Sequence, residues 1–159
     1  MKSIKSNATI DILLADDDKD DHFFFSRVLK SLSFATKLTI VEDGEQLMTH
    51  LLGASNILPD VLFLDQNMPR KNGWECLLEI KGNKALQALP IIIYSTDIYE
   101  NVEDLFYNSG AHYYIRKTSL DELKKVLSVI LTLIAEKKFI RPARENFKFI
   151  LSNNKVVFE

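Results

Sequence analysis

The sequence predicts a doubly wound α/β domain, in which helices cover both faces of a parallel sheet. Three observations support this prediction: short apolar runs alternate with helical segments, several runs lack the polar–apolar alternation of a half-exposed strand, and prolines fall between the elements. Continuous apolar runs are typical of strands that are buried on both faces of a parallel sheet. Strands and helices in alternation then form one layered sheet through right-handed crossovers.

Five apolar runs have the length of strands and are bounded by turn-forming or charged residues. The predicted strands are residues 9–15, 37–43, 60–65, 90–95 and 112–117. The segments after them are the predicted helices, residues 22–32, 44–52, 73–80, 99–108 and 120–138. In the last helix, Leu120, Leu123 and Leu127 begin an apolar stripe at steps of three and four, and Ser119 with Glu122 forms a capping box.

Length and composition favour one domain. The chain has 159 residues, of which 47% are hydrophobic, so a single core is expected. We expect an N-terminal lead over residues 1–9, the domain over 10–138 and a C-terminal extension over 139–159, with no output domain. Two apolar stretches in the extension predict a small hairpin. We expect the extension to pack on its own domain, and a homodimer or partner contact is the alternative.

The charge pattern and the single cysteine exclude several classes of protein. Lys and Arg number 20 against 22 Asp and Glu, so no basic stripe for nucleic acid is expected. No apolar run reaches the roughly 20 residues that cross a bilayer, and the N-terminal residues lack the apolar core of a signal peptide. Cys76 cannot form an internal disulfide, so we expect a soluble protein in the reducing cytoplasm.

Polar residues follow four of the predicted strands. Asp16 and Asp17 end the first, Asp65 the third, Ser95 the fourth and Lys117 the fifth. In an open parallel sheet the carboxyl ends of the strands form one ligand-binding rim, so these residues are expected to meet. Three carboxylates in a shallow pocket suit a hard divalent ion such as Mg²⁺. The nearby Asp18, Asp20 and Asp21 are expected to favour the positive N-terminus of the next helix.

Together these motifs resemble the receiver domain of response regulators in two-component signalling. The resemblance covers roughly residues 10–138. It consists of the acidic pair after the first strand, Asp65 within LDQNMPRKNG, the hydroxyl residue that ends IIIYS, and the lysine after Tyr114 in the fifth strand. It implies a flavodoxin-like sheet of strand order 2-1-3-4-5 and a stand-alone, single-domain response regulator.

The resemblance also implies a chemistry. Asp65 would accept a phosphoryl group from a sensor histidine kinase or a histidine phosphotransfer protein. A Mg²⁺ or Mn²⁺ ion would be held by Asp16, Asp17, Asp65 and the backbone carbonyl of Asn67. The output would pass through a surface around residues 99–125 to a downstream protein target, with no enzymatic activity on another substrate.

Further residues are implied to respond to the phosphoryl group. Lys117 would pair with one phosphoryl oxygen and Ser95 would move to hydrogen-bond another, while Tyr114 would rotate toward the interior as the second switch residue. We expect the lifetime of the phosphoryl group to be tuned by Asn67, Thr96 and Asp97.

One residue departs from the family pattern. Thr118 follows Lys117, where receivers usually carry a proline, often after a cis peptide bond. A cis bond before a residue other than proline costs about 2.5–4 kcal/mol. The resemblance therefore does not imply the geometry of this loop, although it does imply the role of Lys117.

Three alternatives remain at this point. A haloacid-dehalogenase-type phosphatase also uses a strand-end Asp with Mg²⁺, but it needs a second Asp where this chain has Asn67. A receiver-like interaction module that works without phosphorylation would not require the complete acidic pocket. A nucleotide-binding protein of related topology is disfavoured, because no Gly-rich loop follows the first strand.

Overall fold

Strands and helices alternate along the chain. The computed structural model describes residues 8–53, 57–96, 100–152 and 155–157. The strands of the main sheet are β1 Ile10–Ala15, β2 Thr36–Val41, β3 Val61–Leu64, β4 Ile91–Ser95 and β5 Tyr113–Arg116. The helices are α1 Lys19–Ser31, α2 Gly44–Leu51, α3 Gly73–Gly82, α4 Glu100–Asn108 and α5 Leu120–Ala135. A short 3₁₀ turn, Arg144–Asn146, and two further strands, β6 Ile150–Ser152 and β7 Lys155–Val157, follow.

The main sheet is parallel throughout and has the order β2-β1-β3-β4-β5. The predicted fold class and strand order are therefore confirmed. The first strand lies in the interior of the sheet, with Ile12 opposite both Leu38 of β2 and Val61 of β3. Since all five strands run in the same direction, their carboxyl ends form a single rim.

Each face of the sheet has its own apolar core. Leu13, Leu62 and Ile93 point to the face that α2 and α3 cover, whereas Leu14 and Phe63 point to the face of α1 and α5. All four residues of β3 are fully buried. Burial on both faces explains why the central strands read as continuous apolar runs. Within the described ranges no helix is long and apolar enough to cross a membrane.

Caps move several helix ends away from their predicted positions. The first helix begins at Lys19 instead of residue 22, because the side chain of Asp18 accepts a hydrogen bond from the amide of Asp20 at 2.8 Å. The last helix ends at Ala135, three residues before the predicted end. There Lys137 adopts a left-handed φ of 57°, and the amide of Lys138 donates to the carbonyl of Leu133 at 2.8 Å.

The C-terminal extension runs along the outer edge of β5. The amide of Tyr114 donates to the carbonyl of Phe147 at 2.9 Å, and the amide of Phe149 donates back to the carbonyl of Tyr114 at 2.8 Å. Beyond this contact, β6 and β7 pair in antiparallel fashion at the position of the predicted hairpin. The turn of that hairpin, residues 153–154, lies outside the described residues.

A glycine at the start of α3 allows this helix to approach the rim closely. A Cβ atom on Gly73 would lie 2.3 Å from the backbone oxygen of Asp65. The amide of Gly73 also donates to the carbonyl of Gln66 at 3.0 Å, which closes the loop between β3 and α3. A residue without a side chain is therefore required at this position for α3 to pack against the loop.

The Gly73→Ala variant is expected to lower the free energy of unfolding by about 1–3 kcal/mol, because the added methyl group displaces backbone atoms. Gly82→Ala is the matched control in the same helix, since no atom lies within 4 Å of its Cβ position. The control should be neutral or more stable by up to about 1 kcal/mol. Urea denaturation measures both variants, and equal stabilities would contradict the close approach at Gly73.

A partly buried histidine lies just before β5. The ring of His112 stacks on Phe139 with centroids 5.9 Å apart, and its Nδ1 atom has no hydrogen-bond partner among the residues described. Burial lowers the pKa of His112 to about 4, and the positive charges of Lys81 and Arg141 add to this effect. The unfolded chain therefore takes up a proton here at a higher pH than the folded chain does.

The sign of the resulting pH dependence follows from linkage. Between the ordinary histidine pKa of about 6.5 and the folded value, only the unfolded state is protonated, so stability falls as the pH falls through this range. The His112→Phe variant keeps the stacked ring and cannot titrate. Its loss of stability between pH 7 and pH 4.5, measured by urea denaturation, should be smaller than that of the wild type by about 2 kcal/mol. The exposed His50→Gln variant is the control, and identical pH dependence in all three chains would contradict the assignment.

Candidate functional site

The structure brings five of the polar residues predicted from the sequence to one rim. Asp16 and Asp17 follow β1, Asp65 follows β3, Ser95 ends β4, and Lys117 follows β5. Backbone hydrogen bonds extend the sheet into this region: the amide of Asp65 donates to the carbonyl of Ala15 at 2.9 Å, and the amide of Lys117 donates to the carbonyl of Ser95 at 2.8 Å. The rim is thus held by the sheet itself.

Three of these residues form an acidic triad. Asp16, Asp17 and Asp65 each place a carboxylate oxygen within 4.8 Å of the other two. Asp16 and Asp65 are buried, whereas Asp17 is exposed, so the triad opens to solvent on one side. Burial raises the pKa of Asp16 to about 6 and also raises the pKa of Asp65. A set of oxygen donors with one open side fits a hard divalent cation that retains some of its water.

Lys117 holds the acidic residues together. Its Nζ atom donates to Oδ2 of Asp16 at 2.7 Å, to Oδ2 of Asp21 at 2.7 Å and to Oδ2 of Asp65 at 3.1 Å. The lysine side chain is only 9% exposed. Burial works against its charge, but the hydrogen bonds to Asp16 and Asp21 and the charge of Asp65 outweigh burial, so the pKa of Lys117 is raised. The ammonium group therefore stays charged and offsets part of the repulsion among the carboxylates.

Sequence reasoning missed the contacts of Asp21 and His22. It assigned Asp21 to the helix N-terminus, yet this side chain binds Lys117, and the Nε2 atom of His22 hydrogen-bonds with the backbone oxygen of Asp16. Both residues reach the pocket because α1 begins at Lys19, which places them in its first turn. The Asp18 cap was the feature of the sequence that could have indicated this geometry.

The loop after β3 orients Asp65. The amide of Asn67 donates to Oδ1 of Asp65 at 3.2 Å, which leaves Oδ2 for Lys117. Asn67 itself is exposed. Further along the loop, Arg70 has a left-handed φ of 67° and lies 3.8 Å from the carboxylate of Asp43. The loop therefore presents one oxygen of Asp65 in a fixed orientation beside the acidic triad.

The residues after β4 are placed only in part. Ser95 is fully buried, and its Oγ atom finds no hydrogen-bond partner in the described part of the chain. Thr96, the next residue, is exposed, and Asp97 lies outside the described residues. A buried hydroxyl without a partner is costly, so Ser95 would gain from an acceptor delivered to the rim.

Tyr114 and Thr118 lie before and after Lys117 in the chain, and the structure describes both. Tyr114 is 1% exposed and already lies in the interior, where Phe147 belongs to the same apolar cluster. The peptide bond between Lys117 and Thr118 is trans, as are all peptide bonds that the structure describes. The missing proline is therefore accommodated without a cis bond, and Lys117 still reaches the pocket.

Comparison with known proteins agrees with this geometry. The sequence matches the family model of the response regulator receiver domain over residues 12–128. Response regulator Rcp1 of Synechocystis is 32% identical over 133 residues, which cover 80% of this chain and 90% of Rcp1.

Solved structures show the same similarity. The Mn²⁺-bound form of Rcp1 superposes with a TM-score of 0.71 at 31% identity, over 84% of this chain and 99% of that structure. The phosphorylated cyanobacterial phytochrome response regulator RcpA superposes with a TM-score of 0.73 at 29% identity, over 82% of this chain and 96% of that structure. The acidic triad of this chain lies at the rim where the resemblance placed the phosphorylation site. The chain therefore belongs to the response regulator receiver domain family of two-component signalling.

Proposed function

We propose that this chain is a single-domain response regulator that accepts a phosphoryl group on Asp65. The observation that carries this proposal is the position of the Asp65 carboxylate, which lies beside two further carboxylates and 3.1 Å from the ammonium group of Lys117. One open side of the pocket gives a donor access to this carboxylate. The donor would be a phosphohistidine of a sensor kinase or of a histidine phosphotransfer protein.

The transfer requires positioning and charge neutralisation more than acid–base chemistry. A carboxylate oxygen of Asp65 attacks the phosphorus atom as the bond from phosphorus to the donor imidazole breaks, and the product is an acyl phosphate. The amide of Asn67 holds one oxygen of Asp65 at 3.2 Å, which leaves the other oxygen to react. Lys117 then pairs with a phosphoryl oxygen in place of the Asp65 oxygen that it contacts at rest.

A divalent cation, Mg²⁺ or Mn²⁺, would be held by Asp16, Asp17, Asp65 and the backbone carbonyl of Asn67. When bound, it supplies positive charge beside the transferred group. The chain's own contribution is the donor set: buried Asp16 has a pKa raised to about 6, so most of it is still ionised at pH 7 and can act as a ligand. The Mn²⁺-bound structure of the relative Rcp1 supports this assignment.

The response would begin at Ser95. Its unpartnered Oγ atom gains a hydrogen bond when a phosphoryl oxygen arrives, and this gain favours a shift of β4 toward the pocket. Tyr114, which pairs with Ile93 across β4 and β5, then repacks as the second switch residue. We propose that Asn67, Thr96 and Asp97 tune the lifetime of the acyl phosphate; Asn67 and Thr96 are exposed.

We assign residues 10–138 to the receiver and 139–159 to a C-terminal extension. We place the protein in the cytoplasm, with a downstream protein as its target and no chemistry on a further substrate. The haloacid-dehalogenase alternative is disfavoured by the family match and by Asn67 at the position where that class needs an Asp. The phosphorylation-independent module is the alternative that the next experiment separates from the proposal.

Incubation with acetyl phosphate and Mg²⁺ is expected to add one phosphoryl group, which intact-mass spectrometry detects. The Asp65→Asn variant and an EDTA-treated sample should gain none. Asp60→Asn is the matched control, because Asp60 lies just before β3, at the opposite end from Asp65, and is exposed. An adduct of equal yield on Asp65→Asn would contradict Asp65 as the acceptor, and no adduct on the wild type would favour the phosphorylation-independent module.

The Lys117→Met variant is expected to bind Mn²⁺ about tenfold more tightly, because its ammonium group no longer competes for the carboxylates of Asp16 and Asp65. Without metal, the same variant should be less stable by about 3 kcal/mol, since a buried charge network loses its cation. Thermal denaturation over a Mn²⁺ titration reports both effects, because a ligand raises stability by RT ln(1 + [L]/Kd). The exposed Lys138→Met variant is the control. Weaker Mn²⁺ binding by Lys117→Met would show that the lysine does not compete with the metal.

A further inference from the structure

Residues 141–149, called the cover segment, pass along α4 and reach the outer edge of β5 at residues 147–149. Its pairing with that strand is short: Tyr114 makes both backbone hydrogen bonds, one to Phe147 and one to Phe149, and Lys148 between them is its bridge partner in parallel orientation. By comparison, β4 pairs with β5 over four successive residues. The edge of the sheet is therefore closed by a contact that is one residue long, which makes it easier to open than a regular strand pair.

Two phenylalanines hold the cover segment on both faces of the sheet. Phe147 is fully buried in the core that contains Tyr114, and its ring lies 5.4 Å from that of Tyr107 in α4. Phe149 is buried in the opposite core, where its ring lies 5.2 Å from that of Tyr113. The intervening Lys148 is exposed. The β5 edge thus accepts a strand with large apolar side chains at alternate positions, which is the pattern of strand addition.

Polar contacts tie the same segment to α4 and to its C-terminal end. Arg141 donates to the backbone oxygens of Tyr107 and Ala111, and the hydroxyl of Tyr107 donates to the carbonyl of Pro142 at 3.0 Å. The Nε atom of Arg144 donates to Oδ1 of Asp104 at 2.6 Å. The ion pair of Arg144 with Asp104 is exposed, where such pairs contribute little and are readily exchanged.

One strand links the cover segment to the acidic pocket. Tyr114 in β5 binds the cover segment. Lys117, which directly follows this strand, binds Asp16, Asp21 and Asp65. A phosphoryl group on Asp65 adds negative charge and acceptor oxygens at the position of Lys117. The end of β5 would then have a different set of partners, and Tyr114 on the same strand pairs with Ile93 of β4, two residues before Ser95.

We propose that the cover segment is a displaceable occupant of a strand-addition site on β5, and that phosphorylation of Asp65 loosens it. The partner is an extended peptide with large apolar side chains at alternate positions, as in the Phe147–Lys148–Phe149 sequence of the cover segment itself. The first part concerns the edge alone, and only the second part rests on the proposed function. A cover of this kind protects an exposed strand edge until a partner is required.

The test measures how tightly the full-length protein binds a fluorescently labelled peptide, PARENFKFI, which repeats residues 142–150. Binding is followed by fluorescence anisotropy. The resting wild type should bind the peptide weakly, because its own segment competes at high effective concentration. Two double variants are designed to release the cover segment, and both should bind the peptide about tenfold more tightly. One combines Phe147→Ala with Arg144→Glu, and the other combines Arg141→Ala with Arg144→Glu. The second pair leaves the core intact, so its result does not depend on tolerance of a cavity. Lys148→Ala is the matched control, and the peptide PARENSKSI should not bind any chain.

Phosphorylated wild type is the last arm of the experiment. Intact mass establishes the adduct in the same sample, and peptide binding should tighten about tenfold relative to the resting chain. No tightening in either double variant would overturn the strand-addition site. A verified adduct without tighter binding would overturn the coupling while leaving Asp65 as the acceptor. A chain that gains no phosphoryl group would overturn the proposed function, and the coupling with it.

Discussion

The contact on which the rest of this site depends is the ion-paired hydrogen bonding of Lys117 with Asp16, Asp21 and Asp65. These carboxylates lie 101, 96 and 52 residues away from the lysine in the sequence. In the folded chain they lie close together, and without a cation among them they would repel one another and take up protons. A divalent cation would compete with this lysine for the carboxylates, and a phosphoryl group would offer the lysine a new partner. The contacts of one ammonium group would therefore differ between the resting and the phosphorylated pocket.

The topology of the sheet makes this contact possible. Parallel strands in the order β2-β1-β3-β4-β5 bring the ends of β1, β3 and β5 to one rim, while the two cores fix the strands from both faces. Rigid positioning of this kind suits phosphoryl transfer, which depends on geometry and charge. At the far edge of the sheet, a single residue of β5, Tyr114, makes the backbone hydrogen bonds to residues 147–149. The chain of β5 therefore connects Lys117 in the acidic pocket to a weakly held edge of the sheet.

Much of the fold and the location of the site could be predicted from the sequence, because apolar runs, strand-end carboxylates and the topology rule depend on local patterns. The positions of Asp16, Asp17 and Asp65 at one rim follow from the ends of two strands. Asp21 and His22 were missed because a cap at Asp18 adds a turn to α1, and caps compete with periodicity at helix ends. The docking of Phe147 and Phe149 against β5 depends on tertiary contacts, which no local pattern encodes.

The most direct test of this account is a crystal structure of the chain loaded with Mg²⁺ and beryllofluoride, which mimics a phosphoryl group on Asp65. We expect Mg²⁺ among the carboxylates of Asp16, Asp17 and Asp65. We also expect the Nζ atom of Lys117 to leave its position 3.1 Å from Asp65 Oδ2 and to bind a fluorine atom. An ion bound elsewhere, or Lys117 still on all three carboxylates beside a bound beryllofluoride, would contradict these expectations.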